Sequence, residues 1–140
     1  MCQPASFVLT KTRCYWSMMT DSHTEIIAEY GLHEDGARGV NLVKIEISPP
    51  GGDMRQAVDQ WIYRLDQDRT PDWYDAEECE KRGRAALAKW HAARVIVGRI
   101  ANLKEPGNYW AYSSTVTAHG SSTVTAHGSS TVTAYGSSTV

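Results

Sequence analysis

From Ser113 to Val140 the chain repeats one eight-residue word, SSTVTAHG, SSTVTAHG, SSTVTAYG and SSTV, without a single charged residue. Few folds accept such a word. "STVTA" is rich in β-branched residues and reads as a strand, while glycine after His or Tyr supplies a corner free to take positive φ. Strand geometry has period two, so the two threonines of T-V-T share one face and the valine and following alanine share the other. Valine and alanine are the apolar pair and are expected inside. One such strand has too thin a core to stand alone, whereas stacked copies bury each valine on the next. Eight residues are too few to circle a coil, so two octads are expected per 16-residue turn of a β-solenoid.

This reading places Val116, Val124, Val132 and Val140, with Ala118, Ala126 and Ala134, in the solenoid core. Thr115, Thr117, Thr123, Thr125, Thr131, Thr133 and Thr139 face outward. Tyr112, His119, His127 and Tyr135 line the edges, with His119 and Tyr135 stacked on one of them. The first word lacks its glycine between Tyr112 and Ser113. A small antiparallel meander and a flexible polar tail are the competing structures. A short array of stacked strands also leaves an open edge of unpaired N–H and C=O groups, which invites a second copy.

The remainder of the chain has a different character. Every Asp, Glu, Lys and Arg lies at or before Glu105, so residues 1–105 read as a charged head and 106–140 as an uncharged repeat tail. In the head, "SFVLT" and "CYWS" form a hairpin, and "DSHTEIIAEYG" a helix with the S-x-x-E capping pattern at Ser22 and Glu25. "VKIEIS" alternates Val43, Ile45 and Ile47 against Lys44 and Glu46, predicting a strand with one wet face, and "QWIYRLD" repeats the pattern. A longer helix starts at Asp75-x-x-Glu78 with small and apolar residues at Cys79, Gly83, Ala86, Leu87 and Trp90. "VIVGRIANL" reads as one more strand. The order ββαββαβ predicts an α+β head, a mainly antiparallel sheet with two helices on one face.

The net charge of -2 excludes non-specific nucleic-acid binding, which needs clustered Lys and Arg. No apolar run is long enough to span a membrane and no secretory leader opens the chain. Cys2, Cys14 and Cys79 are an odd set without a C-x-x-C pair, pointing to reduced thiols, a cytoplasmic location and no zinc site. Cys2 is the one weak catalytic candidate, since removal of Met1 would expose a thiol beside its own α-amine. The acidic run from Asp66 has calcium-loop spacing, but Pro71 stands where that loop needs glycine, so its acids are assigned to helix capping. His23, His33 and His91 are expected to face solvent. No cofactor motif, metal set or nucleophile elbow emerges.

With its T-x-T and Tyr-Gly-Ser elements, the stretch Ala111–Val140 resembles the octapeptide half-repeats of bacterial ice-nucleation proteins. The head, with "FVLTKTRCYWS", "DSHTEII", "VKIEISPPGGD" and "DQDRTPDWYDAEECE", resembles uncharacterised bacteriophage and bacterial proteins in which such a domain precedes octad repeats. The first resemblance implies a T-x-T solenoid and the second brings no activity. The expected function is therefore non-enzymatic: a structural or interaction protein that associates through its tail. A small phage enzyme or inhibitor aimed at a host component, with the tail as spacer, is the alternative. A water-ordering or ice-binding surface is the second alternative, with a host or virion protein as a further partner.

Overall fold

The computed structural model describes residues 4–34 and 40–140. Its contacts divide the chain into two units, one of Met1–Ser17 and Asp21–Lys89, the other of Met18–Thr20 and Trp90–Val140. The fold is mixed α and β.

The first unit is built on a four-stranded antiparallel sheet of order β2-β1-β3-β4, with β1 at Ser6–Leu9, β2 at Cys14–Tyr15, β3 at Val43–Ser48 and β4 at Ile62–Leu65. Directly opposed residues share a face. Phe7 opposes Ile45, and Ile47 opposes Tyr63, so these lie on one side. Val8 opposes Lys44, and Glu46 opposes both Ser6 and Arg64, so these lie on the other.

The helices occupy opposite faces, contrary to the expectation of one. Gly83, on helix α2 (Ala76–Arg94), packs so closely that an added Cβ would stand 2.6 Å from Ile45 Cδ1 and 3.2 Å from Ile47 Cδ1. Helix α1 (His23–Glu29) instead buries Ile26 and Ile27 with Val8 and Leu42. Seven residues form a helix here because Ser22 accepts from the Glu25 N–H and Gly31, at φ +61°, follows the last turn, where Leu32 N–H returns to the Ile27 carbonyl at 2.9 Å. At the start of α2, Asp75 Oδ1 accepts from the Glu78 N–H at 3.0 Å, the capping role expected of this acidic run.

Two sequence expectations fail as a consequence. The second face of β3 is only partly wet: Lys44 is half-buried, but Glu46 is 3% exposed, on the side of the sheet where α1 packs against Val8. His23, at the first position of α1, is likewise buried rather than solvent-facing.

The second unit contains two three-stranded parallel sheets whose strands alternate along the chain. One has the order β5-β7-β9 (Val95–Val97, Asn108–Tyr112, Thr123–His127) and the other β10-β8-β6 (Thr131–Ala134, Thr115–Ala118, Ile100–Leu103). "VIVGRIANL" is thus two strands, broken at Gly98 with φ +60°, and they pair with β7 and with the first octad strand, β8, instead of the antiparallel sheet. No helix among the described residues is long and apolar enough to cross a membrane.

Candidate functional site: the octad sheets and their exposed rim

Pairing in the second unit repeats every 15 or 16 residues. Val95 pairs with Trp110, Ile100 with Thr115 and Asn108 with Thr123, each 15 residues on. Thr115 then pairs with Thr131, and Thr123 with Thr139, each 16 residues on. The change of period has a local cause. Ser113 occupies the corner position that Gly98 holds in the preceding rung, and it takes φ +49° although it carries a side chain. Both donate to the strand one rung on, Gly98 to Tyr112 O at 2.9 Å and Ser113 to His127 O at 3.2 Å. The word without its glycine therefore turns in one residue fewer, and serine adopts the left-handed conformation.

The inner faces hold a small apolar core. Val116 and Val124 are each 1% exposed and Ala118 is fully buried, packed with Ile96, Ala101, Tyr109 and Ala111. Val132 is half-buried against the same cluster, Ala126 and Ala134 are exposed, and Val140 is 64% exposed. The outward positions behave differently. Thr115, Thr123, Thr125, Thr131, Thr133 and Thr139 are exposed and Thr117 is half-buried. The threonine columns are at most two deep, because the rung before Thr115 and Thr117 presents Ile100 and Asn102, and the rung before Thr123 and Thr125 presents Asn108 and Trp110.

Aromatic rings stack rung on rung at two corners. Tyr112 and His127 lie 4.6 Å apart at 9°, and His119 and Tyr135 lie 5.3 Å apart at 13°. Stacked rings at this spacing match the rise between parallel strands, ~4.8 Å.

A feature missed in the sequence is the division of labour within each Ser-Ser pair. The second serine turns inward: Ser114 and Ser122 are buried, and each hydroxyl bonds backbone groups of its own and the neighbouring rung. Ser122 Oγ donates to His119 O at 3.1 Å and lies 3.2 Å from Glu105 O. Ser138 Oγ donates to Gly120 O at 3.0 Å, and Ser130 Oγ accepts from the Ser114 N–H at 3.2 Å. The invariance of both serines across the words carried the signal, but solvent-facing polarity explained it equally well.

Of the thiols, Cys2 lies outside the described residues. Burial, with a neighbouring Cys79 adding to it and Arg82 opposing it, pushes the Cys14 thiol up to about 12, which leaves it protonated and a poor nucleophile at neutral pH.

Comparison of the chain with protein-family models, curated proteins and solved structures finds no match.

Proposed function

We propose that residues 95–140 form a short β-solenoid of octad coils, and that its role is non-catalytic: it offers a stacking face through which copies of the chain associate. Alternation of the strands between two parallel sheets, the 15- to 16-residue period and the inward aliphatic columns support the coil. The observation that carries the association is a gradient among identical side chains. Ala118 is fully buried while Ala126 and Ala134, in the same place within their words, are exposed. Ala118 lies between Leu103 and Ala134, whereas among the described residues Ala126 and Ala134 are each paired on one side. The complement of an octad face is another octad face, since parallel in-register words set Val on Val and Ala on Ala. We take that face to come from a second copy, and residues 106–140, which include both outermost octad strands, carry no Asp, Glu, Lys or Arg to oppose the approach. Two rims related by a two-fold axis pair their edge strands antiparallel rather than in the parallel register seen within the chain, which still sets inner face beside inner face and closes the dimer.

The test compares wild type with an Ala126→Glu, Ala134→Glu double variant by size-exclusion chromatography with light scattering. Wild type is expected to associate in a concentration-dependent way. The double variant, whose new charges stay in water in the monomer but are trapped in a stacked interface, is expected to remain monomeric with unchanged circular dichroism. A monomeric wild type at every concentration, or a variant that associates equally well, defeats the proposal.

A further inference from the structure

His23, Glu46 and Asp66 form a cluster in the first unit, remote in sequence from the octads and independent of their proposed role. One ligand atom from each lies within 4.8 Å of the others. The parts come from three elements: the first turn of α1, the buried face of β3, and the residue following β4. His23 and Glu46 are 4% and 3% exposed, whereas the Asp66 side chain is 40% exposed and marks the open side.

The orientation of His23 is fixed by its far nitrogen. Nε2 lies 2.9 Å from the Ile45 carbonyl oxygen. A carbonyl only accepts, so Nε2 carries the proton and Nδ1 is the atom turned to the carboxylates. Nδ1 stands 3.4 Å from Asp66 Oδ2. A lone pair facing a carboxylate at that distance is repelled unless positive charge stands between or beside them. A proton, the neighbouring Arg64 guanidinium or a bound cation can supply that charge. Two ligands of a tetrahedral ion with bonds of ~2.0–2.1 Å are themselves ~3.3 Å apart, which is the separation seen here. A ring N–H held by a backbone carbonyl is also the usual outer support of a metal-bound histidine.

Positive charge already reaches the cluster from Arg64. Its guanidinium bonds the Glu46 carboxylate and lies 3.9 Å from Asp66 Oδ1. Arg64 is 64% exposed along its side chain, so it has room to swing out into water. It neutralises the carboxylates from the solvent side.

We propose that His23 Nδ1, Glu46 and Asp66 form a binding site for a divalent transition ion, with Arg64 as the internal counter-charge that the ion displaces. One imidazole nitrogen among two carboxylates favours zinc or manganese over the all-oxygen preference of calcium and magnesium. Three protein ligands leave a position on the Asp66 side for water or an exogenous group.

The experiment is calorimetric titration of the chelator-stripped full chain with zinc and then manganese, with thermal unfolding read in parallel. Wild type is expected to bind one equivalent at this site. Arg64→Gln removes the competing charge, so it should bind the ion more tightly and show a larger metal-induced rise in Tm than wild type. His23→Gln retains an amide donor for the Ile45 carbonyl but deletes the Nδ1 ligand. Asp66→Asn, at the exposed ligand, spares the core. Each is expected to weaken binding by ~100-fold or more, beyond the loss typical of outer-shell changes. Cobalt gives a further readout: a visible spectrum of nitrogen–oxygen coordination present in wild type and absent in His23→Gln. Failure of wild type and Arg64→Gln alike to bind either ion overturns the proposal, as does binding that His23→Gln and Asp66→Asn leave unchanged.

Discussion

Ser121 and Ser122 are identical neighbours, yet Ser121 is exposed while Ser122 is fully buried. The Ser122 hydroxyl reaches the His119 carbonyl in its own corner and the Glu105 carbonyl one rung away. Removing it leaves buried acceptors short of a donor, a loss of about 1–3 kcal/mol, whereas an exposed hydroxyl contributes almost nothing. Ser122→Ala is therefore expected to lower the local stability of β7–β9 by about 1–2 kcal/mol, and Ser121→Ala to leave it within about 0.5 kcal/mol of wild type. Amide hydrogen exchange of those strands measures the difference in the intact chain. Equal effects at the two positions would mean that the corner is held by something other than its inner hydroxyl.

Among the elements, α2 depends on what it lacks at one position. Gly83 ordinarily weakens a helix interior by about 1 kcal/mol relative to alanine, but an alanine Cβ here would stand 2.6 Å from Ile45 Cδ1. Overpacking of this kind costs about 1–3 kcal/mol, more than the propensity gained. Gly83→Ala should therefore destabilise the protein, and by about 1 kcal/mol less once Ile45→Val has removed the colliding atom. Urea unfolding of the four members of that cycle tests it; additive effects would place the crowding elsewhere. The same elements explain what was legible beforehand. Alternation at Val43, Ile45 and Ile47 and the caps at Ser22 and Asp75 are local patterns, and they specify strand and helix without reference to the rest of the chain. Which face of the sheet α1 covers is not local: Ile26 and Ile27 require an apolar partner but do not name Val8. Glu46 therefore read as a wet residue, and His23 as a surface one. The octads were more legible because repetition turns a local pattern into a contact rule, each word pairing with a copy of itself. The exceptions sit where repetition fails, at Gly98, which breaks one apparent strand into two, and at Ser113, which shortens a coil.

Across the whole molecule, ionisable chemistry and repetition are kept apart. All 14 Lys and Arg and all 16 Asp and Glu precede residue 106, and the only imidazoles after it are His119 and His127. This separation makes the surface responsible for association distinguishable without knowing the interface in advance. A contact between charged surfaces weakens as the Debye length falls from ~10 Å at 0.1 M salt toward ~3 Å at 1 M. A contact of valine, alanine and backbone groups is indifferent to sodium chloride and strengthened by sulfate, which is excluded from apolar surface. At pH 8, where imidazole is ordinarily neutral, the association constant is expected to change less than about two-fold between low and high sodium chloride and to rise in ammonium sulfate. Its temperature dependence should carry the negative heat-capacity change of apolar burial. Sedimentation velocity across the two salts, with calorimetric dilution at several temperatures, provides both numbers. An association that collapses in sodium chloride would assign the contact to residues 1–105, and the octad rim would then have to be explained by something other than self-recognition.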